Sequence, residues 1–254
     1  MKAISQPVVK LVWHTPNPRR VIAIAARMTY SAKPVEQLSE DITEAETASS
    51  VRAILERHHW SVLRHVSFCF TVSGVSRALS HQLVRHAVGF AYEQRSQHYR
   101  VENDSSYIEP PTLSGNPVYE DAMGDANDAY RSLIAMGVPR EDARMVLPSG
   151  IETQLVMTAN AEAVLNLVKA RACRVNTSEI LSVAVQVRNI VKDIIPEMHG
   201  YLGPTCWSQG LCFEGHKYYK VCNRPWKPAV LWSPEFPDKI EHISVLPSKQ
   251  GGPG

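Results

Sequence analysis

The densest concentration of chemistry-bearing side chains in the chain is RHAVGFAYEQRSQHYR, residues 85–100, where Arg85, His86, Arg95, His98 and Arg100 are interspersed with Gln94, Ser96 and Gln97. Arginine offers a fixed fork of donors to phosphate oxygens, Ser and Gln orient a polar heterocycle, and His or Tyr can cover a ring face. That mixture suits a nucleotide. The same residues would also serve as a solvated loop paired with the acidic segment at 102–109, and composition alone does not choose between the two.

The elements around this cluster follow from hydrophobic period and punctuation. VVKLVW (8–13) reads as a strand, and a Pro-rich turn leads to a short helix over VIAIAARMTY. A helix is expected through ITEAETASSVRAILERHH. In the following HVSFCFTVSG, Val66, Phe68 and Phe70 alternate with Ser67 and Cys69 as in a strand that Gly74 ends. SRALSHQLVRHAV returns to helical spacing and delivers Gln82 and Arg85 to one side. Residues 103–120 form an expected exposed loop before the helix EDAMGDANDAYRSLIAMG, and PREDARMVLPSG stops at Pro148. A strand at ETQLVMTA leads to the helix AEAVLNLVKARA. A long helix follows, opened by Asn176 with Glu179 as a capping box and buried along Ile180, Val183, Val187, Ile190, Val191 and Ile194.

A chain of 254 residues, 44% hydrophobic and 20% charged, can bury a substantial core as one domain. Its 27 Lys and Arg nearly balance 25 Asp and Glu, which gives no reason to expect a nucleic-acid or membrane-surface partner. The N-terminus lacks a signal-peptide apolar segment, and no run approaches the roughly 20 apolar residues that span a bilayer, so a cytoplasmic protein is expected. Five cysteines, an odd and scattered set, are expected as thiols. Cys206, Cys212, His216 and Cys222 lack the tight Cys-x-x-Cys hairpin of zinc sites, and the neighbouring His58 and His59 project apart on a helix; no metal is expected. One domain over 1–230 and a flexible tail over 231–254 complete the organisation.

QLVRHAVGFAYEQRSQHYR resembles the signature of flavin-dependent thymidylate synthases, an Arg-His-Arg triplet followed by Ser, a spacer and Arg-Tyr; Arg85, His86, Ser96 and Tyr99 match it. RHHWSVLRHVSFCF is similar to that family's upstream histidine segment, ARMVLP to its Arg-x-x-Leu-Pro element, and TANAEAVLNLVKAR to its Asn and Arg helix. Four segments in the right order are far more specific than any one alone. The resemblance implies an α+β fold of mixed sheet and long helices, a homotetramer with flavin sites shared between subunits, and reductive methylation of dUMP to dTMP. FAD would be the cofactor, with NADPH and methylenetetrahydrofolate as co-substrates. It implies that Gln82, Arg85, Gln94, Arg95, Ser96, His98 and Arg144 hold the pyrimidine nucleotide, with Arg171 beside the uracil ring as the catalytic group. Ser67, His65, Arg85, His86, the triplet position Ala87, Asn160 and Asn166 would face FAD.

Uracil carbon 5 attacks an electrophilic carbon only when the ring is electron-rich, and a guanidinium can stabilise the ring anion left by loss of the nitrogen 3 proton. Read without the resemblance, Arg171 is a helix C-terminal arginine, Arg144 part of a self-paired helix end, and Asn160 and Asn166 a cap and an exposed polar residue.

This chain departs from the pattern at Ala87, which replaces an arginine, and at His98, whose imidazole cannot present a bidentate fork. The spacing from Arg85 to Ser96 is one residue longer than usual, so that counting back from Ser96 selects Gln94 rather than Glu93. These changes leave open a paralogue that methylates or hydroxymethylates another pyrimidine nucleotide. A non-catalytic nucleotide- or RNA-binding protein is the reading of a different class.

Overall fold

The computed structural model describes residues 2–97 and 106–209. His98, Tyr99, Arg100, Cys212, His216, Cys222 and the expected tail lie outside the described residues.

The apolar, β-branched run SFCFTVSGVS makes β3 (Ser67–Ser76) the strand around which the rest pairs. It is antiparallel to β2 (Val8–His14) on one side and to β6 (Glu152–Asn160) on the other, and β4 (Phe90–Gln94) adds antiparallel to β6, giving the order β2-β3-β6-β4. A second, parallel pair joins β1 (Lys2–Ile4) to β5 (Ser106–Ile108). Around the sheet lie α1 (Pro18–Met28), α2 (Val35–Asp41), α3 (Glu44–Glu56), α4 (Arg77–Leu83), α5 (Pro117–Ala135), α6 (Arg140–Ala143), α7 (Ala161–Arg171), α8 (Ser178–Ile194) and α9 (Thr205–Gln209). This is the α+β architecture expected. Among the described residues no helix is long and apolar enough to cross a membrane.

Phe68, Phe70, Val72 and Met157 project into one core with Ile22 of α1, Val51 and Leu55 of α3, the buried face of α7 and the stripe Ile180, Val183, Val187 and Val191 of α8. Each large side chain so buried contributes about 1.5–3 kcal/mol of transfer free energy. Ile190 and Ile194 lie at the margin of that stripe, only partly covered. The opposite face of the sheet keeps apolar surface exposed in the single chain: Val12 at 57%, Trp13 at 47% and Val156 at 41%.

Several elements differ from the sequence reading. Gly74 does not end β3: at φ +64° it sits where the pairing with β6 shifts register between Val72 and Val75, and the strand resumes to Ser76. The helix read over 76–88 is only α4, which stops at Leu83 before a turn, and the polar segment after it contains β4. The expected loop at 103–120 contains β5, which pairs with β1, and the beginning of α5, whose first turn is capped by Asn116. Asn176 does not open α8: Thr177 takes the N-cap position without a side-chain cap bond, and Glu179 turns away to Ser76.

Helix α3 begins with a reciprocal cap that spacing alone could have shown. The Thr43 hydroxyl accepts from the Glu46 amide at 3.2 Å, and the Glu46 carboxylate accepts from the Thr43 amide at 2.9 Å. The Thr43 amide, with Arg27 and the Thr43 hydroxyl next in order, holds the Glu46 carboxyl down at about 2. Thr43→Ala is expected to cost about 1 kcal/mol in urea unfolding. The stabilisation by Glu46, a group with a depressed folded-state pKa, is fully present above its ordinary 4.5 and lost as pH falls through about 2, so the stability gap between wild type and Glu46→Gln should close over that window.

Candidate active site

The two ends of the β3–β6 ladder set where the site residues lie. Ser76 is both the last residue of β3 and the N-cap of α4, its hydroxyl accepting from the Leu79 amide at 2.9 Å. Asn160 is both the last residue of β6 and the N-cap of α7, its side-chain oxygen accepting from the Ala163 amide at 2.9 Å. Because Ser67 pairs with Asn160 and Ser76 with Glu152, α4 and α7 start at opposite ends of the same ladder. Their C-terminal ends therefore converge, and the chain from 84 to 89 runs back along α7 from its last turn to its first.

At the last turn, Arg171 Nε donates to His86 Nε2 at 2.9 Å, and its Nη1 donates to the Asn176 side-chain oxygen at 3.3 Å. Asn176 in turn donates to the carbonyls of Ala170 and Cys173, closing the turn between α7 and α8. An imidazole that accepts on Nε2 carries its proton on Nδ1 when neutral. Burial, and secondarily the adjacent Arg171 charge, hold the His86 pKa below its ordinary 6.5 and keep the ring neutral at physiological pH.

At the first turn, Gly89 adopts φ +78°, and its carbonyl accepts from the Asn160 amide at 3.0 Å. A Cβ at this position would come within 2.6 Å of Asn160 Nδ2 and 2.9 Å of the Ala163 methyl. Tyr92 locks the turn from below: its hydroxyl points between the carbonyls of Leu83, at 2.9 Å, and His86, at 3.0 Å, and burial pushes its pKa far above the ordinary 10.

The structure thus brings together His86, Arg171 and Asn160 of the expected set, with Ser67 beside Asn160 by strand register. Arg85 and Ala87 lie exposed on the same turn, and Asn166 is exposed on the solvent stripe of α7. Gln94 is half-buried on the Tyr92 side of β4 and donates to the Thr153 hydroxyl at 3.1 Å, while Glu93 points from the other face. Gln82 lines a cavity of about 480 Å³ with Ser76, Glu179 and Tyr119. Ser96 is half-buried just beyond β4. His65 is not in a strand: it ends the 3₁₀ turn Trp60–His65 and is exposed. Likewise His58 and His59 follow the end of α3 rather than lying on it, with His58 stacked on Trp60. Two arginines have other neighbours. Arg95 is ion-paired with Glu152 at 3.2 Å, and Arg144, in the 3₁₀ turn after α6, donates to the Glu141 carbonyl at 3.1 Å and packs toward α5. Gly89 and Tyr92 were missed by the sequence reading, and Asn176 was read there only as the start of α8. The glycine between helix and strand was the available signal for the first, and alternation within FAYEQ for the second.

Comparisons with known proteins agree with this frame. The family described as thymidylate synthase complementing protein matches residues 10–197. The chain is 37% identical to the flavin-dependent thymidylate synthase of Geobacter sulfurreducens over 213 residues, covering 82% of this chain and 91% of that protein. It is 35% identical to that of Clostridium tetani over 82% of this chain and 90% of the relative. With the Saccharolobus solfataricus protein it shares 38% over 78% of this chain and 77% of the relative. The fold is that of the solved UMP/dUMP methylase PolB from Streptomyces cacaoi, bound there with 5-Br dUMP, at a TM-score of 0.67 and 22% identity over 79% of this chain and 96% of that one. A donor-rich turn on an antiparallel sheet, with an arginine held by a neutral histidine, therefore belongs to a methyltransferase class that works through FAD. The chain is a member of the flavin-dependent thymidylate synthase family.

Two outcomes test this geometry. Gly89→Ala should lower stability by about 1–2 kcal/mol from backbone conformation alone, with more from displacing Asn160, as read by urea unfolding. Arg171→Gln should raise the His86 pKa toward 6.5 without reaching it, because burial remains, as read by proton NMR of the imidazole. Since the folded-state His86 pKa is depressed, its stability contribution is present above the ordinary 6.5 and is lost as pH falls through the folded value.

Proposed function

We propose that this chain binds FAD and dUMP at the convergence of α4 and α7 and catalyses reductive methylation of uracil carbon 5, with methylenetetrahydrofolate as carbon donor and NADPH as reductant. The observation that carries the reading is the guanidinium of Arg171 held against neutral His86.

The donor set fits a flavin nucleotide. Arg85 and His86 lie on the turn that faces α7, Asn160 caps that helix and Asn166 is exposed on it, and the close approach of Gly89 to Asn160 leaves room only for backbone there. Ser67 and His65 lie at the Asn160 end of that edge in sequence register, with Ala87 offering a backbone contact in place of an arginine fork. Bound there and reduced by NADPH, the flavin would supply the hydride that takes the transferred carbon to a methyl group.

The chain's own residues bind, orient and stabilise charge. With Nε committed to His86 and Nη1 to Asn176, the Arg171 fork has a fixed plane. A pyrimidine in front of that fork loses its nitrogen 3 proton more readily, because the fixed positive charge stabilises the ring anion, and carbon 5 becomes nucleophilic. Neutral His86 adds no positive charge of its own beside Arg171. Gln82, Arg85, Gln94, Ser96, His98 and Arg144 are the proposed nucleotide contacts.

A homotetramer in the cytoplasm is part of the same proposal. Val12, Trp13 and Val156 leave apolar surface on the outer sheet face for a second copy to cover. A second reading, methylation or hydroxymethylation of another pyrimidine nucleotide, is favoured by one specific pair of observations. Ala87 contributes no charge to the turn, and Arg95 is already answered by Glu152.

The test is release of tritium from dUMP labelled at carbon 5, in the presence of FAD, NADPH and methylenetetrahydrofolate. The proposal expects dTMP formation in the wild type and a loss on the order of 100- to 1,000-fold in Arg171→Ala. Turnover of UMP or dCMP instead of dUMP would establish the second reading, and no turnover of any pyrimidine nucleotide would overturn both.

A further inference from the structure

Two segments carry the site: 76–89, which includes α4 and His86, and 161–179, which includes α7, Arg171 and the start of α8. They meet at the His86–Arg171 hydrogen bond, at Gly89 on the first turn of α7, and at a third place, in the wall of the cavity that Gln82 also lines. There Glu179, in the first turn of α8, accepts hydrogen bonds from both the backbone amide and, at 2.8 Å, the hydroxyl of Ser76. The Ser76 hydroxyl simultaneously accepts from the Leu79 amide at 2.9 Å. The polar chain therefore runs from the first turn of α4, through Ser76, to the first turn of α8.

We propose that Glu179 is a positioning residue for the active site, fixing the start of α4 against the start of α8 so that His86 and Arg171 arrive in register. Its catalytic meaning rests on the function proposed above.

The Arg77 and Ala78 amides also hold the start of α4, donating to the carbonyls of Ile151 and Ser149, and Tyr92 holds the turn after it, but those bonds tie α4 toward the sheet, whereas the Ser76–Glu179 bonds tie it to α8, the helix that follows Arg171. Helix α4 is a short element of 7 residues, and the turn after it must deliver His86 to a guanidinium on another helix. A tilt of a short helix about its first residue is magnified at its far end. Ser76 presents two donors side by side, and a carboxylate is the side chain with acceptor capacity for both and no donor to mispair. Glutamine would keep the bond from the amide; leucine would keep the volume and lose both bonds.

The cost of placing this carboxylate points the same way. Burial raises the Glu179 pKa above 4.5 even though both Ser76 donors act to lower it, so ionised Glu179 opposes folding as pH rises through its folded value. The groups around it are Ser76, Gln82, Ser182 and the carboxylate of Glu109 in the same cavity wall, and Tyr119, whose own pKa is raised chiefly by burial and slightly by Glu179. None of the described groups facing it supplies a positive charge. A residue retained for stability alone would be better served by an uncharged side chain.

The test uses the full chain without flavin or nucleotide, so that it stands apart from the proposed chemistry. The His86 imidazole is titrated by NMR in wild type, Glu179→Leu, Glu179→Gln and Ser76→Ala, with urea unfolding in parallel. Glu179→Leu and Ser76→Ala should move the His86 midpoint toward 6.5, and Glu179→Gln should leave it close to wild type. In the family assay, Glu179→Leu should lower kcat/KM for the pyrimidine nucleotide by about 10- to 100-fold, with Glu179→Gln largely restored. Should Glu179→Leu not fold, Ser76→Ala and Glu179→Gln carry the comparison. A His86 midpoint unchanged in folded Glu179→Leu or Ser76→Ala overturns the proposal whatever the activity does. A shifted midpoint in a chain that turns over no pyrimidine nucleotide would uphold the positioning and sink only the proposed function.

Discussion

The antiparallel ladder between β3 and β6 is the constraint on which the site depends. Its terminal residues double as helix caps, so the pairing that satisfies the backbone in the middle of the sheet also fixes where α4 and α7 begin and in which direction each runs. A slip of one residue would turn Phe68, Phe70 and Met157 out of the core and move both caps at once. At about 1.5 Å per residue, the 11 residues of α7 carry Arg171 roughly 16 Å from its cap. The turn after α4 covers the return distance, meeting Arg171 with His86 and the cap itself with Gly89.

Electrostatics then decides what this meeting can do. A guanidinium paired with a carboxylate would have its charge cancelled; paired with a neutral imidazole, it keeps the charge and loses only rotational freedom. Three other arginines are spent structurally: Arg95 on Glu152, Arg64 on Glu162, and Arg19 on Glu197 and Glu44. Tyr92 contributes as a hydrogen-bond donor to the turn rather than as an acid, because burial holds its phenol protonated across the working range. The positive charge at Arg171 is thus placed by packing and by neutral partners, an arrangement suited to stabilising an anion that forms on a bound ring.

Much of this was legible in the sequence, for reasons that are physical. Phe68 and Phe70 announced β3 through alternation, and the apolar stripe of α8 through its helical period, because burial selects those spacings directly. Asn160 was readable as a cap. What resisted was whatever depends on partners distant in sequence. Glu179 looked like half of a capping box with Asn176, yet Ser76, far back in the chain, offers two donors where the helix start offers one, and Asn176 is drawn instead to Arg171 and the turn carbonyls. Phe90–Gln94 looked like a polar loop because it joins the sheet at an edge, where pairing with β6 and not its own composition makes it a strand. The flavin and nucleotide assignments came from resemblance, and among the described residues His86 and Arg171 are joined by a hydrogen bond and Ser67 and Asn160 by strand register within one chain.

The central claim, that Arg171 faces the pyrimidine while a separate set of residues holds the flavin, is tested most directly by visible absorbance. FAD is added to wild-type protein and to Arg171→Ala, and dUMP is then titrated into each. The account predicts that both proteins bind flavin, that dUMP shifts the flavin bands of the wild type, and that Arg171→Ala responds weakly or not at all. An equal response in the two proteins, or the absence of flavin binding in the wild type, would contradict it.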